Sequence, residues 1–124
     1  MTSVLTVTGG KKHERDIAKT VVRWCFTNKV VIHHDIDIYV KICKYRRYQC
    51  WGSCVESDYD NTSRTKFNIT VANNQSIRDF VATIIHEMIH VNQYITGTWE
   101  DNGEEECEQK QFILTDELWQ QNTI

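Results

Sequence analysis

Residues 83–94, TIIHEMIHVNQY, constrain this chain more than any other stretch. Val81, Ile84, Ile85, Met88 and Ile89 recur at helical spacing, the pattern of a helix with one face against a core. His86 and His90 stand four apart, so on a helix both imidazoles leave the same face, one turn above the other. With His86 as zero and about 100° per residue, His90 falls at about 40°, Asp79 at about 20°, Thr83 at about 60° and Gln93 at about 340°. Ile77, Val81, Ile84 and Met88 gather on the opposite side. The helix therefore serves two surfaces, a core on one and a polar strip on the other.

That strip has the form H-E-x-x-H, written here His86-Glu87-Met88-Ile89-His90. Two neutral imidazoles supply two of the three protein ligands of a catalytic zinc and leave a position for water. The Glu after the first His is placed to take a proton from that water as general base. The bland alternative is a pair of surface histidines that happen to be spaced this way. A third ligand is required, and no histidine follows His90. Gln93 and Thr96 stand where the longer metzincin motif needs Gly and His, which excludes that group. The carboxylates Glu100, Asp101, Glu104, Glu105, Glu106 and Glu108 remain. Most of them suit a solvated first helical turn, where acids complement the dipole. One helical Glu meeting two helical His is nevertheless a recurring zinc arrangement, and Glu104 and Glu108 share a face.

Around this helix the sequence predicts an α+β domain spanning residues 1–124, with an N-terminal helix, a three-stranded sheet, the H-E-x-x-H helix and a C-terminal helix carrying the third ligand. The first helix is expected over about Lys12 to Asn28, with Ile17, Val21, Trp24 and Cys25 in one stripe and Ala18 and Val22 widening it. In HDIDIYVKIC, Ile36, Ile38, Val40 and Ile42 alternate with polar residues, the period of a half-buried strand. YQCWGSCVES reads as a second strand, bent or bulged at Gly52, and KFNITVA as a third. Ser76, with Asp79 three residues on, is expected to cap the motif helix, and Gly97 to stop it. The last helix is expected from Glu104 to about Gln121, with Cys107, Leu114 and Leu118 on one side.

HEMIHVNQY resembles the active-site helix of small zincins of the gluzincin type, a group that includes mini-gluzincin and SprT-like proteins of bacteria and phages. The resemblance extends back through Trp51-Gly52-Ser53-Cys54 and KFNITVA, and forward to Glu104-Glu105-Glu106-Cys107, so it covers roughly residues 35 to 118. It implies a zinc metallopeptidase in which His86, His90 and Glu104 hold the metal, Glu87 acts as base, and the substrate is a protein or peptide. SprT-like proteins proper use a third His that this chain lacks, so their role in DNA–protein crosslink proteolysis is not carried over.

The remaining features bear on partners and compartment. The formal charge of −3 gives no overall reason to expect nucleic acid. Lys41, Lys44, Arg46 and Arg47 interleave with Tyr45 and Tyr48, and such a segment could contact phosphates and bases. More often it is a solvated strand edge that blocks unwanted pairing. The opposing function is therefore a catalytically idle zinc or nucleic-acid-binding module using this segment. Cys25, Cys43, Cys50, Cys54 and Cys107 make an odd count, which reads as free thiols in a reducing, cytoplasmic setting. Cys50 and Cys54 have no second pair for a structural zinc site. The triplets at Asn61, Asn68 and Asn74 carry little meaning without a signal peptide, and the N-terminal segment does not resemble one. No run is long and apolar enough for a membrane span. His33 and His34 read as surface residues, and the sequence sets no oligomeric state.

Overall fold

A computed structural model describes residues 4–32, 35–44, 51–57, 65–98 and 103–121. The chain begins with β1 (Val4–Gly9) and continues through α1 (Lys12–Thr27), β2 (Ile36–Cys43), β3 (Gly52–Ser57), β4 (Thr65–Ala72), α2 (Ile77–Thr96) and α3 (Glu104–Gln120). The architecture is α+β, with three helices and one four-stranded mixed sheet in the order β1-β2-β4-β3. β1, β2 and β4 are mutually parallel, and β3 lies antiparallel along the edge of β4.

The sheet has four strands where three were expected. β1 was missed because an edge strand shows only half a signal. Leu5 and Val7 are partly buried while Val4, Thr6, Thr8 and Gly9 are exposed, so only two residues carry the alternation. β1 pairs with β2 through Val7↔Val40 and Gly9↔Ile42, and α1 makes the crossover that a parallel pair requires.

Alternation in the central strands gives the sheet one covered face. Ile36, Ile38, Val40 and Ile42 of β2 and Phe67, Ile69 and Val71 of β4 are buried, whereas Tyr39, Lys41 and Asn68 are exposed. Register places Ile38 beside Phe67, Val40 beside Ile69 and Ile42 beside Val71, so the apolar side chains form continuous rows. α1 covers β1 and β2 with Ala18, Val21, Val22 and Cys25, and α2 covers β3 and β4 with Val81, Ile84, Ile85 and Met88. Ile17 of the expected α1 stripe is only partly buried.

α2 matches its expected ends. The Ser76 hydroxyl accepts a hydrogen bond from the Asp79 N–H at 3.1 Å, and Gly97 closes the helix in the left-handed region at φ 69°. α3 lies on α2 rather than on the sheet, and Cys107, Thr115 and Leu118 are its buried residues. Its far end is tied down by the Trp24 indole donating to Gln121 Oε1 at 2.7 Å and by an Arg78–Asp116 ion pair, with Arg78 also over the Trp119 ring. Among the described residues, Cys25, Cys43, Cys54 and Cys107 are free thiols, and no helix is long and apolar enough to cross a membrane. His33, His34, Cys50 and the Tyr45–Tyr48 portion of the basic-aromatic segment lie outside the described residues.

Candidate metal centre

His86 and His90 project from consecutive turns of α2 with ring centroids 5.0 Å apart. The start of α3 lies against them. Glu104, its first residue, turns its carboxylate toward both rings, with Oε2 3.0 Å from His86 Nε2 and Oε1 2.8 Å from His90 Nε2. Of the other carboxylates weighed for this position, Glu105 accepts from the Gln109 amide and Glu106 pairs with Lys110 at 2.6 Å. Glu108 lines a neighbouring cleft, and Glu100 and Asp101 lie outside the described residues.

The second nitrogen of each ring is already engaged. His86 Nδ1 lies 2.5 Å from Gln111 Oε1, and His90 Nδ1 lies 2.8 Å from Gln93 Oε1. Gln93 is oriented by its own amide nitrogen, which donates to Gly103 O at 3.0 Å and to Glu106 Oε1 at 2.7 Å. An amide oxygen only accepts, so each Nδ1 carries the hydrogen, and in a neutral ring Nε2 presents its lone pair. Two lone pairs then face two carboxylate oxygens. A proton on each Nε2 or a divalent cation between the groups would satisfy this arrangement, and two imidazole nitrogens with one carboxylate are a donor set that suits a divalent metal.

His86, His90 and Cys107 also form a group that can hold a metal ion, with donor atoms within 4.8 Å of one another. Cys107 Sγ stands 3.6 Å from both nitrogens of His90. A point equidistant from the two at that range lies over the face of the ring, because an in-plane position beside Cε1 would overlap the carbon. The sulfur therefore packs on the imidazole, while the Nε2 lone pair lies in the ring plane. Burial first, and then the charges of Glu104 and Glu87, push the thiol up to about 12.

Glu87 leaves α2 beside this cluster and is only 3% exposed. It has no hydrogen-bond partner among the described residues, and burial followed by the Glu104 charge pushes its carboxyl up to about 8. A divalent cation at the histidines would cancel the second cause. Gly52, opposite Val71 in the edge strand, presents its missing side chain to the same point. A Cβ there would stand 2.6 Å from Thr83 Cγ2 and 3.3 Å from Glu87 Oε2, so only glycine lets β3 lie this close over α2. β3 begins at Gly52 and its register on β4 runs without a bulge, so among the described residues the glycine serves this close approach rather than a bend.

The structure brings His86, Glu87, His90 and Glu104 to one place. Sequence reasoning missed Gln93 and Gln111 as the partners that orient the rings. Gln93 had a signal, since it lies in the polar strip one turn beyond His90; Gln111 had none, because its position depends on how α3 crosses α2. No family model, curated protein or solved structure matches the chain.

Proposed function

We propose that this chain is a zinc-dependent metallopeptidase of zincin-like, gluzincin-type build, with His86, His90 and Glu104 as metal ligands and Glu87 as general base. The observation that carries the reading is the carboxylate of Glu104 spanning both Nε2 atoms while both Nδ1 atoms are held outward by glutamines. Glu104 is preferred to Cys107 as the third ligand because it faces the lone pairs of both rings, whereas the sulfur lies over one ring.

When bound, zinc supplies a Lewis acid that polarises a carbonyl and acidifies a water. The chain's own residues do the rest. Gln93 and Gln111 fix the tautomer and orientation of the two imidazoles. Glu87, shielded from bulk water and without a hydrogen-bond partner among the described residues, accepts a proton from the attacking water and delivers it to the leaving amine. A purely structural zinc site would need four protein ligands and no base. The free thiols among the described residues suit a reducing compartment.

The test separates ligand from base. Wild-type protein should carry one zinc per chain, and His86→Ala with His90→Ala should abolish it in elemental analysis. Glu104→Gln should weaken zinc binding, because an anionic ligand becomes a poor neutral one. Glu87→Gln should keep the zinc and lower peptide hydrolysis by roughly 100-fold to 10,000-fold. Full activity in Glu87→Gln, or equally negligible zinc in wild type and the double variant, would refute the proposal.

A further inference from the structure

The helical side of the molecule is stepped and charge-polarised. α3 lies on α2 rather than on the sheet, so it forms a ridge one layer further out than α1. The outer face of α1 is left as an open step beside that ridge, with Lys12, Arg23 and Thr27 exposed. Residues 11–29 carry six lysines and arginines against two carboxylates, whereas α3 carries six carboxylates against Lys110 alone. Some of these charges are paired within the chain, Lys12 with Asp16, Arg78 with Asp116 and Lys110 with Glu106. Lys19, Arg23 and Lys29 of the step, and Glu105 and Glu117 of the ridge, have no ion pair among the described residues.

An apolar seam runs between step and ridge. A groove of about 300 Å³ there is lined by Val30, Ile113 and Leu114 and by Ile89 and Asn92 of α2, with Lys29 beside them. Ile113 is 60% exposed, as is a similar share of Ile32, whose N–H donates to Asn92 Oδ1 at 3.3 Å. An apolar centre flanked by charge is the anatomy of a protein interface.

We propose that two copies of this chain associate through this helical face about a two-fold axis parallel to α2. The heights of the charges along α2 lead to that axis. α1 runs parallel to α2, since Asn73 just before α2 donates to Glu14 at 3.1 Å and Asn92 near its end accepts from the Ile32 N–H. α3 runs the other way, since Asp116 pairs with Arg78 at the start of α2 and Glu106 accepts from Gln93 near its end at 2.7 Å. Lys19 and Glu117 therefore lie toward the start of α2, and Lys29 and Glu105 toward its end. The axis preserves height and exchanges sides, so each ridge enters the other copy's step. Lys19 then meets the second copy's Glu117, Lys29 meets the second copy's Glu105, and the two apolar seams come together. A purely acidic or purely basic partner would match one strip and be repelled by the other, whereas a second copy matches both. Two helices about 24 Å long and about 10 Å wide give a footprint of roughly 500 Å² per copy. That is the small end of specific interfaces, so the dimer is a weak one with a Kd on the order of 10 μM.

The test is analytical ultracentrifugation of the full chain from about 1 μM to about 300 μM, over which the mass should rise from one chain to two and no further. Raising salt from about 50 mM to about 500 mM should weaken the dimer about tenfold. Lys19→Glu with Lys29→Asp turns the step acidic; Lys29 stands at φ 60°, where aspartate is tolerated. Glu105→Lys with Glu117→Lys turns the ridge basic. Each double variant alone should stay a monomer, and an equal mixture of the two should dimerise, because every strip again faces its opposite. Urea melts check that both variants fold. If either does not, Ile113→Asp should leave the chain folded and monomeric. The proposal is overturned by a wild-type monomer at about 300 μM in low salt, by growth beyond two chains, by a dimer that persists in either charge variant or in Ile113→Asp, or by folded charge variants that fail to pair when mixed.

Discussion

Gly103→Ala tests whether the metal centre is assembled the way the structure describes. Gly103 caps α3 with φ 74° and ψ −1°, and a Cβ there would stand 2.2 Å from Gln93 Oε1 and 2.9 Å from Gln93 Cδ. Gln93 is 1% exposed, so it cannot swing into solvent. The variant bears two costs. Holding alanine in the left-handed region takes about 1–2 kcal/mol, and displacing a buried amide from His90, Gly103 and Glu106 takes about 1–3 kcal/mol. The sum, about 2–5 kcal/mol, is large against a total of about 5–15 kcal/mol for a domain of this kind. In urea, at a slope of about 2 kcal/mol per molar, the midpoint should fall by about 1–2.5 M. Zinc affinity should fall by roughly 10-fold to 100-fold, because His90 loses the partner that orients it and Glu104 sits on the displaced turn. Gly97→Ala is the control. It has the same backbone sign at φ 69° but nothing within 4 Å of the added Cβ, so it should show the first cost alone and normal zinc affinity. Equal losses in the two variants, with zinc affinity unchanged in Gly103→Ala, would refute the link through Gln93.

Two further substitutions address neighbouring contacts. Cys107→Ala should keep full zinc stoichiometry at a stability cost of about 1 kcal/mol for the lost packing on His90, read by elemental analysis and urea melts; loss of zinc would instead make Cys107 the third ligand. Gly52→Ala should lower hydrolysis sharply, because its Cβ would collide with Thr83 Cγ2 and crowd Glu87, and Thr83→Ser in the same chain removes the colliding methyl and should restore activity; failure of this rescue, measured as kcat/KM, would mean that the close approach of β3 to α2 does not govern the site.

The helices were legible because their signals are local. Period 3.6, Ser76 as cap and Gly97 as stop lie within one segment, and α2 came out as Ile77–Thr96 between those residues. Of the strands, those with a buried face announced themselves, whereas β1 supplies only Leu5 and Val7 to the core and stayed hidden. The polar strip was legible as a stripe but not as a buried surface: His90 and Gln93, expected on a polar face, are 5% and 1% exposed because α3 lies over them. Periodicity names the residues that share a face, and only the tertiary crossing says what that face meets. The same limit hid Gln111, whose tie to His86 spans two helices.

The way α3 is attached bears on why these polar residues belong together. Cys107, Thr115 and Leu118 are its buried residues, and Leu114 and Trp119 pack partly buried against the core. Its far end is held by Leu118, by the Arg78–Asp116 pair and by the Trp24–Gln121 hydrogen bond. Its near end is held by polar contacts around the histidines, through Gln93 beneath Gly103 and through the Cys107 sulfur on the His90 ring. Under the zinc reading, an ion bound by His86 and His90 of α2 and by Glu104 of α3 would join the two helices at the start of α3. Binding energy would then also be folding energy for α3, since the ligand set exists only when the helix is docked. The three consecutive glutamates at its start suit the helix dipole and take distinct places. Glu104 faces the metal site and Glu106 is paired with Lys110 and Gln93, while Glu105 remains on the exposed side.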